Sequence, residues 1–523
     1  MGQTTLNQSN LNHAQLATER AFEWRIIDIV NLVIYLSCLA LLITFMSSKS
    51  LDLFEHRMIV LFATIGIWRY SWWFINFIRA LIYEFIVFPR LRKKANVLQQ
   101  TGWKPPHIYF VIACYKEKKD TLEALLSAMI RECDNISVPA TLFLSGDYDS
   151  EIIVRDFVRK HIQPGLQNQT PKFQVVAIRQ TLPDKRIALG QCLRSLSRHG
   201  VIADSPVILM DSDAIMSNGV LKKCVPFFKL NPKLHALTTD EQAIFNGPKW
   251  MSEMTELRFA QRHLMMQSHS LSKRVLTLTG RLSMFRSQVI TAPDFIERLE
   301  NDYIDHWLWG RFRFLSGDDK STWFLLLKSQ AEMLYVRDVM VYTVEHIEGN
   351  GFSRTLQNLL RWSGNMLRNN GRAIDLGPGT VPPFIWWCLF DQRLVIWTSL
   401  VSPIAAILMT IHTGLAFIPV YLAWLGISRL ALSLIIYRYA GRIHLSFPFL
   451  IYILQILNAL IKVYILFRLP RQKWANRTGS KTSLTSEKSL WFEHAMANYL
   501  TLLSLSSLVL MLALYTGVMK LPF

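Results

Sequence analysis

The stretch Pro206-Val207-Ile208-Leu209-Met210-Asp211-Ser212-Asp213 decides the fold. The apolar run Val207–Met210 is typical of a strand buried on both faces, and two aspartates separated by one residue follow it directly. Open parallel sheets bind ligands beyond the carboxyl ends of their strands, so these carboxylates mark a candidate site. Hard divalent cations take oxygen ligands, usually one or two carboxylates together with substrate phosphate. A turn is the alternative, but the buried strand favours binding of Mg²⁺ or Mn²⁺ by Asp213 and Asp211.

Around this stretch, residues 89–380 alternate β-rich runs with amphipathic helical patterns. The other β-rich runs that precede it are His107–Ala113, Thr141–Leu144 and Phe173–Ala177. Strands that alternate with helices are typical of βαβ units. The sequence therefore predicts a largely parallel α/β sheet.

Polar residues follow each of these runs, at the ends where a parallel sheet binds ligands. Tyr115 and Glu117 follow the first run and could hold a base or a ribose. Asp147 follows the second, and Lys185 stands at the start of a predicted helix, where a cation could meet a diphosphate. In isolation a helix start with solvated charges explains the first pattern better, whereas a turn or a helix start explains the other two equally well.

Two later patterns place polar groups on helices. Gly317-Asp318-Asp319-Lys320 puts an acidic pair at the head of an apolar helix, where an N-cap explains it locally and a general base is the functional alternative. In the segment 357–362, Gln357 and Arg361 share one helical face beside Trp362. A cation beside an aromatic ring can form a platform for a sugar, although an interfacial amphipathic helix fits the same residues.

The two ends of the chain carry the apolar residues that indicate membrane anchoring. Hydrophobic residues make up 51% of the 523 residues, and the mean hydropathy is +0.21. Candidate spans of about 20 apolar residues are Ile27–Phe45, Met58–Ala80, Leu394–Ile411, Leu415–Ile436, Phe447–Phe467 and Met496–Val518. The predicted organisation is a polar leader (1–26), a transmembrane hairpin (27–88), an α/β domain with interfacial helices (89–380) and a C-terminal transmembrane or interfacial region (381–523).

Positive charges predict the orientation in the membrane. The basic run 90–94 follows the hairpin, so the α/β domain is expected in the cytosol. The basic loop 468–490 should be cytosolic as well, yet three apolar stretches separate the two regions. An odd number of crossings cannot join two regions on one side. The stretch Phe447–Phe467, interrupted by polar residues, is therefore expected to be interfacial or re-entrant.

The formal charge of +19 fits membrane lipid first and a polyanionic substrate or product second. Nucleic acid is not expected, because the sequence shows no nucleic-acid-binding motif. Ionisable residues inside spans are costly and usually face a protein interior or a wet cavity, which makes Arg69, Arg429 and Lys462 channel candidates. Snorkelling or pairing with a neighbouring helix is the alternative.

The order of these elements resembles the membrane-embedded processive β-glycosyltransferases of family 2, namely cellulose, chitin, hyaluronan and mannuronan synthases. Their shared signature is Asp-x-Asp, (Gly/Thr)-(Asp/Glu)-Asp and Gln-x-x-Arg-Trp. Here these are Asp211-Ser212-Asp213, Gly317-Asp318-Asp319 and, with one additional spacer residue, Gln357-Asn358-Leu359-Leu360-Arg361-Trp362. The motifs, together with the segment 279–286, are most similar to those of bacterial mannuronan synthases.

The resemblance implies a GT-A-like cytosolic glycosyltransferase domain inserted between N- and C-terminal transmembrane helices. It implies an inverting enzyme of the bacterial inner membrane that polymerises mannuronate from GDP-mannuronate into β-1,4-linked polymannuronate, the alginate precursor, and translocates it. Asp319 would be the base beside Asp318, and the growing polysaccharide would be the second ligand. The implied nucleotide-binding residues are Tyr115, Glu117, Asp147, Lys185, Asp211 and Arg361. The implied acceptor-binding residues are Trp362, Gly280, Arg281 and Phe285, and those of the gating loop are Lys473, Trp474 and Arg477.

The resemblance also implies a partner and leaves alternatives open. A separate membrane subunit with a cyclic di-GMP-binding PilZ domain would supply regulation, since this chain has no Arg-rich PilZ signature of its own. A hyaluronan-, chitin- or cellulose-type synthase using a UDP-sugar is the alternative enzyme. A non-catalytic polysaccharide export scaffold is the alternative from another class, but the intact carboxylates count against it.

Overall fold

The computed structural model describes residues 25–44, 46, 56–162, 172–180, 183–346, 350–472 and 490–520. Ten strands lie in the central region: β1 Ile108–Ala113, β2 Ala140–Gly146, β3 Phe173–Arg179, β4 Pro206–Asp211, β5 Ala214–Met216, β6 Leu234–Asn246, β7 Ser283–Arg286, β8 Tyr303–His306, β9 Gly310–Arg313 and β10 Glu332–His346. The helices around them are Phe88–Gln100, Lys119–Ile136, Tyr148–His161, Lys185–His199, Val220–Cys224, Pro226–Leu230, Lys249–Ser270, Ser287–Ile290, Pro293–Glu300, Asp318–Lys328, Gly351–Asp375 and Gly377–Thr380.

Eight of the strands form one mixed sheet in the order β3-β2-β1-β4-β7-β6-β10-β5. The first four are parallel, as the sequence predicts, and β6 is parallel to β10. The prediction of a largely parallel sheet is wrong for the short strands β7 and β5, which run antiparallel to their neighbours in the second half of the sheet. Only Ser212 and Asp213 separate β4 from β5, which stands at the far end of the strand order. The sheet must therefore curl until its last edge returns to the carboxyl end of β4.

The parallel strands are buried on both faces, which explains their continuous apolar sequences. In β1, Phe110 and Ile112 pack into one core cluster, whereas Tyr109 and Val111 pack into a second cluster on the opposite face. The register places Ala113 of β1 opposite Asp211 of β4. It also places Ala113 opposite Ser145 of β2, so the polar segments that follow these strands start at the same edge of the sheet.

Five helices among the described residues are long and apolar enough to span a membrane: Ile26–Thr44, Pro383–Thr413, Phe417–Ala440, Phe447–Leu466 and Trp491–Tyr515. The predicted span Met58–Ala80 forms part of the helix His56–Ile82, which is long enough but is not among these five. Arg69 and Arg79 interrupt its apolar sequence. Apolar helices thus lie on both sides of the sheet domain in the sequence.

The helix Phe447–Leu466 has 20 residues and satisfies the criteria of length and composition for a span. It packs against the helix Gly351–Asp375, which carries the motif residues Arg361 and Trp362, and against Pro383–Thr413. The prediction that this stretch is interfacial or re-entrant stays a prediction. The domain boundaries and the cytosolic position of the loop 468–490 likewise stay predictions.

Candidate active site

Three segments that are far apart in the sequence meet at Lys185. Its ammonium nitrogen Nζ lies 2.6 Å from Oδ1 of Asp211 and 2.9 Å from Oδ2 of Asp318. Asp211 ends β4, Asp318 begins the helix Asp318–Lys328, and Lys185 begins the helix Lys185–His199. Lys185 is largely buried, with 13% of its side chain exposed, so these contacts are shielded from water. Members of the predicted nucleotide-binding, metal-binding and catalytic sets therefore contact one another here.

The start of the helix Lys185–His199 is fixed by Asp184. Its carboxylate oxygen Oδ1 accepts hydrogen bonds from the backbone N–H groups of Arg186, at 2.9 Å, and of Ile187, at 3.3 Å. This is an N-cap, which satisfies amide donors that the first turn of a helix leaves unpaired. The cap fixes the direction in which Lys185 leaves the helix.

Arg186 positions the other acidic segment, a role that the sequence analysis missed. Its fully buried guanidinium donates to the carbonyl oxygens of Leu299, at 2.9 Å, and Ser316, at 3.1 Å, and to the hydroxyl of Ser321, at 2.9 Å. Ser316 and Ser321 flank the acidic pair at the head of its helix. The neighbouring cation Lys185 was the only local signal, because the partners of Arg186 lie more than a hundred positions away.

Gly280 brings the backbone of the acceptor-side segment against Asp211. A Cβ atom added at Gly280 would lie 2.8 Å from Oδ2 of Asp211, closer than real Cβ atoms approach. Both residues line a small cavity together with Lys185, Phe285 and the pair Asp318 and Asp319. The Phe285 ring is fully buried and lies 6.4 Å from the ring of Phe295, so it forms part of the core beneath the cavity.

We expect Gly280→Ala to lower kcat/KM about tenfold, because the new methyl group displaces the Asp211 carboxylate from Lys185 and each 1.36 kcal/mol is tenfold in rate. Gly379→Ala is the matched control, since a Cβ atom at Gly379 meets nothing within 4 Å. Comparison of initial rates of both variants with wild type tests this expectation. Equal rates for all three proteins would contradict the role of Gly280.

The two aspartates of the acidic pair have different proton affinities. Burial alone would raise the pKa of Asp318, but the charges of Lys185 and Arg186 offset burial and hold the pKa below its usual value. Burial and the neighbouring charge of Asp318 raise the pKa of Asp319 to about 6. Asp318 therefore stays ionised as the partner of Lys185, whereas Asp319 is tuned towards neutral pH, as suits a general base.

Carboxylates crowd around the end of β4. Burial and the charge of Asp211 raise the pKa of Asp213 to about 7; Glu117 and Glu345 add to this effect and Arg281 opposes it. Such a cluster of anionic oxygens fits a hard divalent cation, which would remove the repulsion among them. Among the described residues, no three His, Cys, Asp or Glu side chains are already grouped as metal ligands. A cation held by Asp211 and Asp213 would therefore complete its coordination with substrate phosphate and water.

The other nucleotide-binding candidates lie at the same edge of the sheet. Oε2 of Glu117 accepts a hydrogen bond from the Ser212 hydroxyl at 2.9 Å, which links the end of β1 to the Asp-x-Asp segment. Oδ1 of Asp147 accepts from the backbone N–H of Lys116 at 3.2 Å and so links β2 to β1. Tyr115 is half-buried next to Lys116, whose ammonium lies 5.5 Å from the Tyr115 ring centre. Their roles with a nucleotide stay predictions.

The acceptor-side candidates lie near these carboxylates. Arg281 pairs with Glu241 and, through Nη2, with Oε1 of Glu345 at 3.5 Å. Burial lowers the pKa of Arg361, whereas the charges of Asp211, Asp319 and Glu345 act in the opposite direction.

Trp362 is half-buried, and the guanidinium carbon of Arg258 lies 3.8 Å from its ring centre. Gln357 is exposed, with a 3.5 Å contact to the Ser353 hydroxyl. The motif that has one spacer residue more than the family signature thus has an exposed glutamine at its start.

The gating-loop candidates Lys473, Trp474 and Arg477 lie outside the described residues. Of the channel candidates, Arg69 pairs with Asp391, with 2.7 Å between Nη1 and Oδ1. Arg429 donates to the Tyr70 hydroxyl at 3.3 Å.

Three comparisons show which known proteins this chain is similar to. Residues 105–365 match the family described as Glycosyltransferase like family 2. The chain is 37% identical to the glycosyltransferase alg8 of Pseudomonas syringae pv. tomato, over 88% of this chain and 92% of that protein. It is 34% identical to the glycosyltransferase alg8 of Azotobacter vinelandii, over 92% of this chain and 97% of that protein. It is similar, at 15% identity and a TM-score of 0.44, to a mannosyltransferase of Pyrobaculum calidifontis solved with GDP-Man and Mn²⁺, over 75% of this chain and 98% of the other.

The fold and the site define a glycosyltransferase with a GT-A-like domain and apolar helices at both ends. The chain belongs to the alg8 family of glycosyltransferases. The resemblance to family 2 synthases that the motifs indicated is thereby confirmed, and so is the prediction that the protein is an enzyme.

Proposed function

We propose that this protein is a processive inverting glycosyltransferase that polymerises mannuronate from GDP-mannuronate into β-1,4-linked polymannuronate and passes the polymer across the membrane. The observation that carries the proposal is the contact of Lys185 with Asp211 and Asp318 in a cavity that also contains Asp319. Cations for a diphosphate and a carboxylate with a raised pKa are the groups that inverting sugar transfer requires. Similarity to the alg8 glycosyltransferases supports a donor of the alginate type.

In this mechanism Asp319 takes the proton from the acceptor hydroxyl while that oxygen attacks the anomeric carbon of the donor. The bond between this carbon and the diphosphate breaks, and the configuration inverts. Lys185 and Arg361 stabilise the negative charge on the departing nucleoside diphosphate, as preorganised cations do in a shielded site. Asp318 keeps Lys185 in place, because its ionised carboxylate contacts the Lys185 ammonium.

A divalent cation fits the carboxylates at the end of β4. Asp213 and Asp211 would hold Mg²⁺ or Mn²⁺, and the ion would supply further neutralisation of the leaving diphosphate. Tyr115, Glu117 and Asp147, at the ends of β1 and β2, would bind the nucleoside.

The α/β domain is proposed to face the cytosol of a bacterial cell, with the apolar helices in the inner membrane. The basic run 90–94 supports this orientation. Membrane lipid would then contact the exposed apolar residues of the spans, and a separate PilZ-domain subunit would provide regulation by cyclic di-GMP.

The proposal is tested by incubating the protein, reconstituted in membranes with any partner subunit, with each of four donors in turn. We expect polymer from GDP-mannuronate and none from UDP-glucose, UDP-glucuronate or UDP-N-acetylglucosamine. Polymer from one of the UDP-sugars alone would instead favour a hyaluronan-, chitin- or cellulose-type synthase. Absence of nucleotide release with every donor would favour the export scaffold.

We expect Arg429→Gln to shorten the polymer more than Arg69→Gln does, with little change in nucleotide release by either variant. A polyuronate carries one carboxylate per sugar, so a cation along its path stabilises it. Asp391 already neutralises Arg69, whereas Arg429 meets the Tyr70 hydroxyl and lies 5.8 Å from the Tyr452 ring. Sizing of the product on gels beside released nucleotide measures both effects. Unchanged length in both variants would leave these arginines with a structural role.

A further inference from the structure

One face of the acceptor-side tryptophan carries a cation. The guanidinium carbon of Arg258 lies 3.8 Å from the Trp362 ring centre, well within the range of a cation–π contact. The two residues come from different helices, Lys249–Ser270 and Gly351–Asp375. A guanidinium held against a ring keeps its in-plane N–H donors available to a carboxylate.

Arg258 has no ion pair with any described residue. The neighbouring arginines differ, because Arg262 and Arg281 both pair with Glu241. Glu345, whose charge reaches Arg258, contacts Arg281 at 3.5 Å. Burial and the charge of Arg281 lower the pKa of Arg258 to about 10, so it remains a cation at neutral pH.

A second cation lies on the adjacent helix Phe447–Leu466. Lys462 is half-buried, interacts through space with the charge of Arg258, and has no ion pair within the described part of the chain. Its helix packs against the helix that carries Trp362, and Trp362 joins the same apolar cluster as Ile461. Two cations without an ion pair among the described residues therefore lie where the helix that carries Trp362 packs against a candidate span.

The same helix carries two further polar residues. Gln455, Asn458 and Lys462 are spaced by three and four residues, so they share one face of an otherwise apolar helix. None of the three is fully exposed. They extend over roughly 10 Å of the helix axis at 1.5 Å per residue. Polar groups inside an apolar helix are expected to line a protein interior or a wet path.

We propose that Arg258 and Lys462 form an acceptor subsite that binds the carboxylates of the newly added sugars of an anionic polymer as it leaves Trp362. This inference deepens the proposed function and rests on it. It explains why the protein retains two half-buried cations without carboxylate partners, since such charges are costly unless a ligand compensates them. A neutral polymer would leave both cations without an ion pair.

This proposal is tested by measuring the affinity of detergent-purified protein for oligomannuronate and for a neutral oligomannoside of equal length. We expect Arg258→Gln and Lys462→Gln each to weaken binding of oligomannuronate roughly tenfold or more, the size of one lost charge-assisted hydrogen bond. Binding of the neutral oligomer should not change. Arg258→Lys should restore part of the affinity, which a purely structural role would not predict.

Arg79→Gln is the matched control, because Arg79 is also a cation over an aromatic ring, 3.6 Å from the Phe384 ring centre. It differs in that its Nη2 donates to the Ser268 carbonyl and the Ser272 hydroxyl, so this nitrogen already has acceptors within the protein. We expect it to leave the affinity for oligomannuronate unchanged.

The outcomes separate this subsite from the proposed function. The subsite alone would be overturned if the wild-type protein makes polymannuronate and both Gln variants bind oligomannuronate as tightly as wild type. The proposed function would be overturned if the wild-type protein polymerises a neutral UDP-sugar and binds neither oligomannuronate nor GDP-mannuronate. Loss of anionic binding confined to the Arg258 and Lys462 variants would support both.

Discussion

Asp319→Asn is expected to lower polymer synthesis about 10²-fold or more, the typical loss when a positioned general base is removed. Asparagine has nearly the shape of aspartate but cannot accept the proton of the acceptor hydroxyl. The contact of Lys185 with Asp211 and Asp318 does not involve Asp319, so the donor site should remain formed. We therefore expect near wild-type donor affinity, measured by calorimetry, beside a large loss in the rate of nucleotide release. A near wild-type rate would exclude Asp319 as the base.

The pH profile gives a second, independent measurement on Asp319. A base acts only when it is deprotonated, and the pKa of Asp319 is raised to about 6. The rate should therefore fall roughly tenfold per pH unit below that value and level off above it. Asp156→Asn is the control, because Asp156 is a half-exposed carboxylate whose one ion pair among the described residues is with Arg159 on its own helix. This control should keep the wild-type profile, whereas the residual activity of Asp319→Asn should lose this acid limb.

The strands before the Asp-x-Asp segment could be predicted from the sequence, because each is short, apolar and followed by polar residues. Strands β1 to β4 form where the apolar runs indicate. Their parallel pairing brings Lys185 and Asp211 together at one edge. The antiparallel strand β7 was not predicted, since its four residues carry too little pattern to indicate a direction. Local sequence thus determines the half of the sheet that repeats a βαβ unit, and not the half that curls.

The partners of the buried charges could not be predicted either. Arg281 is one of a cluster of basic residues in the sequence, yet it pairs with Glu241 and Glu345 from two long strands. Arg258 lies within the helix Lys249–Ser270 and gives no local sign that its guanidinium covers Trp362. Such contacts join residues that are far apart along the chain, so spacing and periodicity do not report them. They nevertheless decide which cations are compensated within the protein and which are available to a ligand.

Asp213→Asn should lower polymer synthesis about 10²-fold or more, because it removes an oxygen anion from the group that would hold the cation at the leaving diphosphate. Unlike Asp319→Asn, it should also raise the Mg²⁺ or Mn²⁺ concentration required for half-maximal donor binding.

Donor binding titrated against Mn²⁺ distinguishes the two variants. In the Asp319→Asn protein the dependence on Mn²⁺ should match wild type, since the carboxylates of Asp211 and Asp213 are intact. In the Asp213→Asn protein the curve should shift to higher Mn²⁺, and Arg281 would lose one of the carboxylates whose charge it meets. Coincident Mn²⁺ curves for all three proteins would remove Asp213 from the metal site. Because Lys185 already contacts Asp211 at 2.6 Å, Asp213 is the carboxylate of the pair that is free to take the larger share of the cation.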